Sequence, residues 1–467
     1  MLISEPLPFV CAYLKALDEQ LRSYRGTQRG LSQLQRHWLG FCLMGMMITE
    51  SLCWARFERF SAGRYSAWAL TWMFRHAKVP WRWLLRVSVT VVLQRYGIRQ
   101  GVLILDDVTN PRAKVTERIG YAHKIKHPSS GGFVNGQSLV MLLLVTAAVT
   151  IPLEFRFYQP DPVYQQWRRQ EQRLRRQGVP KRQRPPSPAR DPRYPSKLEL
   201  ALVLLAAFRQ AHPQIRVQAV VADALYSSGH FLDQASELFN GVQVIGQLRQ
   251  NQRVRYRGRV RSVAAYFQSF PGVPQVLRRR GEPIAVHLGA ARLHVDSHGK
   301  KRFVLALKYD GDDEYRYLVA TEMSWRAVDI AQARSLRWLI EVFFQDWKAH
   351  HGWVKLAKQP GEEGSVRGAS LSLLLDHCLL LHPEQTACVE RRQPAHTVGS
   401  LVHHTKVESL VQVIRDLLAA DDPPARLRQL AETLHELYPA LPSSKHMIGR
   451  DLGRLEPTPS LRYRATG

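Results

Sequence analysis

Acidic residues are in short supply: 39 Asp and Glu face 66 Lys and Arg in a chain of 467 residues, leaving a formal charge of +27 and a pI near 10.3. Such an excess points to a polyanionic partner, first nucleic acid and second an acidic membrane surface, beyond any gain in solubility. Cysteine is also sparse. The five residues (Cys11, Cys42, Cys53, Cys378, Cys388) form no CxxC pair and no zinc-finger spacing, which argues against a disulfide scaffold and reads as reduced, mostly buried thiols of a cytosolic protein. Long apolar runs are missing too. The longest, residues 138–153, is too short for a membrane span and fits buried strands. The opening MLISEPLPFV lacks a basic segment followed by an apolar core, so no signal peptide is expected. The expectation is a soluble cytoplasmic, nucleoid-associated protein with no membrane partner.

What is present is hydrophobic periodicity. Residues 1–98 read as a helical, basic region able to dock on DNA, with apolar residues at spacings of three and four over 8–25 and 34–57 and a further helical piece around 68–74. From Gly101 the pattern becomes mixed α/β. Strands are expected at 102–105, 138–146, 149–157, 216–222 and 242–247, and helices at 197–210 and 228–238. The first strand runs into Asp106 and Asp107, and the fourth into Asp223. Residues 99–250 therefore form the first part of a core, broken by an Arg/Pro-rich segment at 167–195 whose start suits a short basic helix and whose remainder suits a flexible loop along phosphates. Residues 251–322 read as a β-rich insertion, 323–385 as a helical end of the core, and 386–467 as a helical C-terminal region whose last stretch, PTPSLRYRATG, is frayed.

The stretch RWLIEVFFQDWK places Arg337, Glu341 and Lys348 along one helical stripe among Trp338, Phe344 and Trp347. Alone, this is an ion-pair row as readily as a site. Strand-end aspartates of an α/β sheet face the crevice where ligands bind. Asp106 or Asp107, Asp223 and Glu341, brought together, make an oxygen cage suited to Mg²⁺. Strand alternation lets only one of the adjacent aspartates face the site.

In this order, the residues resemble the Asp-Asp-Glu (DDE) transposases of bacterial insertion sequences, in the insertion-sequence-4-like branch with a Y-x2-R-x3-E-x6-K signature. Arg337, Glu341 and Lys348 match R, E and K, and Arg334 stands at the tyrosine position. LILDDVTN is similar to the first-aspartate motif, the run Asp223, Ala224, Leu225, Tyr226 to the second, and GGFVNGQSL is also similar to such enzymes. The resemblance spans about residues 100–355. It implies a ribonuclease-H-like core, catalytic Asp106, Asp223 and Glu341, and two Mg²⁺ ions (Mn²⁺ substituting), with Asp107 an alternative ligand. It also implies a homodimer on double-stranded DNA, the terminal inverted repeats of a mobile element and its target. Arg337 and Lys348 would contact phosphates, and Trp325 or Trp338 would stack a flipped base. Arg334, Tyr226 and the basic residues Arg168, Arg169, Arg173, Arg175 and Arg176 complete the expected DNA-binding set. An inactive, domesticated DNA-binding relative is the alternative.

Overall fold

A computed structural model describes residues 5–24, 30–112, 118–126, 131–279, 282–353 and 360–437. The expected frayed stretch PTPSLRYRATG lies outside the described residues. Among those described, no helix is long and apolar enough to cross a membrane.

The periodicity before residue 98 produces helices α1 (Pro8–Ser23), α2 (Gln33–Thr49), α3 (Trp54–Phe60), α4 (Ala67–His76) and α5 (Trp81–Arg95). The single helix expected over 34–57 is two. Glu50 turns left-handed at φ 47° and ends α2, and extended Cys53 starts α3. Ser32 and Ser66 open α2 and α4 by accepting the backbone N–H groups of Gln35 and Ala69.

A sheet of twelve strands follows. Its first strands are β1 (Gln100–Pro111), β2 (His123–Lys126), β3 (Phe133–Val145) and β4 (Thr150–Tyr158). After α6 (Pro162–Arg176) and α7 (Lys197–Ala211) come β5 (Arg216–Ala222), α8 (Gly229–Leu238) and β6 (Gln243–Leu248). β4, β3 and β1 run antiparallel, while β1, β5 and β6 are parallel. The order β4-β3-β1-β5-β6 is consistent with a ribonuclease-H-like core. β1 is far longer than the expected strand at 102–105, because its ladder with β3 continues to Pro111 while its parallel ladder with β5 stops at Leu105–Ala222.

The strand-rich stretch after residue 251 lengthens this same sheet. It contains β7 (Arg253–Tyr256), β8 (Arg259–Ser262), α9 (Val263–Ser269), β9 (Val273–Arg279), β10 (Glu282–Val295), β11 (Lys300–Tyr309) and β12 (Arg316–Ala320). β12 pairs with β6, so the order continues β6-β12-β11-β10-β7-β8, with β9 on β10. Helices α10 (Ala327–Ser335), α11 (Trp338–His350), α12 (Gly361–Leu380), α13 (Pro383–Glu390), α14 (Val398–Leu418) and α15 (Pro423–Leu437) complete the described residues. One sheet face packs Leu103, Leu105, Val220 and Ala222 against Leu204 of α7 and Leu232 of α8. The other packs Ile104, Val108, Ala219 and Val221 with Ile330 of α10 and Phe343, Phe344 and Trp347 of α11. The N-terminal helices share a third core with Leu371, Leu375 and Leu401 of α12 and α14.

A buried relay ties these layers. Tyr13 Oη lies 2.7 Å from Ser88 Oγ, which lies 2.8 Å from His377 Nδ1, and His377 Nε2 lies 2.8 Å from the Pro152 carbonyl. A carbonyl only accepts, so Nε2 carries the proton, Nδ1 accepts from Ser88, and Ser88 accepts from Tyr13. Burial depresses His377 to about 4, opposed by the Pro152 carbonyl. Burial also takes His212 to about 4 and His351 to about 3. It lifts Asp376 to about 8, with Asp346 adding to the rise. His351 and Asp376, 3.8 Å apart, therefore meet as neutral groups.

These shifts have opposite signs for stability. Histidines held neutral contribute stability that is fully present above their ordinary pKa of about 6.5 and is lost as pH falls toward 4. Asp376, raised above its ordinary value, contributes stability present at low pH and lost as pH rises through 8. On the acid side these histidines, with His298 also lowered to about 4, outweigh Asp376 and Asp106, the latter raised to about 7, each group changing stability by at most about 1.4 kcal/mol per pH unit. Thermal melts should therefore give the highest Tm near pH ~6.5, with lower values at about pH 5 and pH 8.5. Asp376→Asn should remove most of the alkaline loss and leave the acid limb. An unchanged alkaline limb would refute the assignment to Asp376.

Candidate active site

Strand alternation places the aspartates. Asp106 shares the parity of Ile104 and Val108, and Asp223 that of Ala219 and Val221, so both belong to the face covered by α10 and α11. The Leu105–Ala222 register sets Asp106 beside Asp223, where β5 ends and β1 runs on. Asp223 is not a helix cap: it makes no side-chain capping bond, and Ser228 caps α8.

Glu341 comes from the first turn of α11. Arg337 sits at the junction of α10 and α11 with helical backbone, a residue before the assigned helix, so the i, i+4 relation of the expected stripe is retained. Its guanidinium reaches all three carboxylates. Nη1 contacts Asp106 Oδ2, and Nη2 lies 3.2 Å from Glu341 Oε1 and 3.8 Å from Asp223 Oδ1. Asp106 forms the floor, its side chain 11% exposed, whereas Asp223 and Glu341 are 36% and 44% exposed at the mouth. Burial raises Asp106 to about 7, against the lowering charge of Arg337 and the bond from the Asp107 N–H.

The remaining expected residues divide sharply. Asp107 points to the opposite face, where its Oδ2 meets Lys197 Nζ at 2.5 Å, so it does not join the cluster. Lys197, at the start of α7, carries no motif signal because it lies ninety residues downstream. Arg334 is nearly buried behind Asp223, donating to Gln247 Oε1 at 2.8 Å and reaching Asp223 at 4.0 Å. Burial lowers it to about 10. It supports the cluster instead of projecting toward DNA. Tyr226 is fully buried against Phe231, which corrects its expected DNA contact. Trp325 is also corrected: it lines a groove with Arg216 and Gln243 at the starts of β5 and β6, the end of the strands opposite the carboxylates. Trp338, 42% exposed, adjoins Arg337 at the mouth. Lys348 is exposed further along α11, its ammonium lowered by partial burial against the raising charge of Glu341.

Arg168, Arg169, Arg173, Arg175 and Arg176 are all exposed on α6, a helix that buries no residue. The Pro-rich return, expected as a flexible loop, folds back on it: Trp167 Nε1 donates to the Pro185 carbonyl at 2.9 Å and Arg184 pairs with Glu171 at 2.5 Å. Sequence reading also missed a cleft of about 810 Å³ along β4, lined by Arg82, Arg86, Arg156, Arg193 and Arg367 with Trp83 among them, and by Glu154 and Glu363, which pair with Arg156 and Arg367. Arg82 stacks over Trp83, 4.9 Å from the ring centre.

Three carboxylates around one guanidinium form a hard, oxygen-only donor set with excess negative charge, which fits a divalent cation such as Mg²⁺. Among the described residues no three His, Cys, Asp or Glu side chains are already drawn into a cage. Here the guanidinium holds the carboxylates around itself.

Comparison with known proteins agrees with this chemistry. No curated protein matches the chain. Among solved structures, the NurA nuclease from Sulfolobus solfataricus gives a TM-score of 0.25 at 7% identity, over 50% of this chain and 72% of that one, too low a likeness to bear on chemistry. Residues 55–296, more than half the chain, match the DDE superfamily endonuclease family, and the matched stretch contains Asp106 and Asp223. The chain belongs to the DDE superfamily of endonucleases.

Proposed function

We propose that this protein is the transposase of a mobile DNA element, of the insertion-sequence-4-like branch with the YREK signature. It binds the terminal inverted repeats as a homodimer, hydrolyses a phosphodiester to free a 3′-hydroxyl, and directs that hydroxyl onto target DNA, opening the second strand through a hairpin. The observation that carries this reading is the convergence of Asp106, Asp223 and Glu341, from two strands and a helix far apart in sequence, on one guanidinium.

Asp106, Asp223 and Glu341 would hold two Mg²⁺ ions, or Mn²⁺ in their place, which when bound supply Lewis acidity to the attacked phosphate and to the attacking and leaving oxygens. The rest falls to the chain itself. Asp106 fixes the floor of the site against the sheet, and the more exposed Asp223 and Glu341 leave its mouth open to a phosphodiester. Lys348 adds a phosphate contact further along α11. Trp338, exposed beside Arg337, would stack a flipped base, the requirement of a hairpin step. The arginines of α6 and those of the β4 cleft grip the backbone away from the chemistry.

Asp223→Ala and Glu341→Gln should each abolish Mg²⁺-dependent strand cleavage of DNA flanking the gene while leaving end binding intact by gel shift. Asp107→Asn should cleave normally, because its carboxylate faces Lys197. Cleavage by either of the first two variants at the wild-type rate would sink the assignment. End binding should also weaken steeply with salt. Changing Arg168, Arg169 and Arg173 together to Gln should reduce the slope of log K against log salt by about 0.9 for each phosphate that is no longer neutralised. A slope that does not move would remove α6 from the DNA-binding surface.

A further inference from the structure

We propose that Arg337 is an exchangeable counter-ion of the carboxylate triad: it fills the cation position while the protein is free of DNA, and an arriving DNA phosphate draws it away, so that metal entry and DNA binding are coupled. This rests on the reading of Asp106, Asp223 and Glu341 as the metal ligands.

Three observations support the exchange. First, one side chain reaches the whole cluster, with Nη1 on Asp106 and Nη2 within 3.2 Å of Glu341 and 3.8 Å of Asp223. A cation cannot engage the three oxygens while the guanidinium stands among them. Second, Arg334 cannot take over. It is 11% exposed, tied to Gln247, and reaches only Asp223, at 4.0 Å. With Arg337 removed, three carboxylates face one distant guanidinium, and a divalent ion answers that charge better than a monovalent one. Third, Arg337 has somewhere to go. It stands at the junction of α10 and α11, where i→i+3 bonds from Arg337 to Arg334 and from Ile340 to Arg337 form a tight turn, and its side chain is 21% exposed beside the open mouth. A guanidinium fork binds phosphate with the same planar, two-pronged geometry as carboxylate, so a phosphate at the mouth offers an equivalent partner. Exchange leaves neither the guanidinium nor the cluster without an opposite charge: guanidinium moves from carboxylate to phosphate as the divalent ion moves in.

The test is Mn²⁺ binding by the full-length protein, read by electron paramagnetic resonance, with and without duplex DNA flanking the gene. Wild-type protein should bind Mn²⁺ weakly alone and about tenfold more tightly with duplex, a coupling of ordinary allosteric size. Arg337→Gln should bind Mn²⁺ about tenfold more tightly than wild type without DNA, and DNA should add little further. Arg337→Lys, which keeps a charge but loses the fork, should fall between them; if Arg337→Gln fails to fold, tighter DNA-free binding by Arg337→Lys carries the test. An Arg337→Gln protein no tighter than wild type without DNA, or one gaining as much from DNA as wild type does, would overturn the exchange. Asp223→Ala tests the underlying reading separately: wild-type Mn²⁺ binding by that variant would refute the triad itself, whatever Arg337 does.

Discussion

One guanidinium among three carboxylates organises the functional end of this molecule. Asp106 and Asp223 are brought together by the sheet, through a parallel register that ends one residue before each. Nothing in the sheet fixes Glu341. It arrives on α11, whose buried face of Ile340, Phe343, Phe344 and Trp347 seats the helix over the strands. Arg337 then closes the distance between helix and sheet. Apolar packing sets the helix's position and the face it turns to the sheet, which brings Arg337 and Glu341 to the two aspartates. Burial makes this placement costly: it raises Asp106 to about 7 even with Arg337 beside it.

The same logic separates two adjacent aspartates that the sequence leaves equivalent. Alternation says that Asp106 and Asp107 face opposite ways but not which one faces the site. The choice comes from outside the strand. Ile104 and Val108 pack under α10 and α11, whereas Leu103 and Leu105 pack under α7, whose first residue, Lys197, pairs with Asp107. Local pattern therefore made the strands, Asp223 and the i, i+4 pairing of Arg337 with Glu341 readable. It could not read the aromatic and basic residues around them. Tyr226 follows Asp223 in the motif but belongs to the opposite core, and Trp325 lies near Arg337 in sequence yet at the other end of the strands. In both places an intervening turn or helix separates in space what lies close along the chain.

Organisation by length was harder to read than organisation by chemistry. The strands after residue 251 look separate in sequence because glycine and arginine punctuate them, yet hydrogen bonding through β12 makes them continuous with β6. The helices at the two ends of the chain likewise share one core, locked by the relay from Tyr13 through Ser88 and His377 to Pro152. Such long-range partners leave no periodic signal. A serine and a histidine 289 positions apart become a pair only once α5 and α12 are packed.

The charge of the chain can now be assigned to places. Part of the arginine excess is structural: Arg334, Arg337 and Arg302 are largely buried with carboxylates. Exposed basic side chains lie on α6, which buries nothing, along the β4 cleft, where Arg82 and Arg86 lie over Trp83, and on β7 and β8 at Arg253, Arg255 and Arg259. Within the cleft, Glu154 and Glu363 pair with Arg156 and Arg367, so Arg82 and Arg86 are the cations left for a polyanion there. DNA held there would be gripped by a field that does not discriminate sequence. Discrimination must then come from contacts that this charge does not provide, while the carboxylate cluster beneath α11, strongly negative by itself, is kept from repelling the backbone by the arginine standing within it.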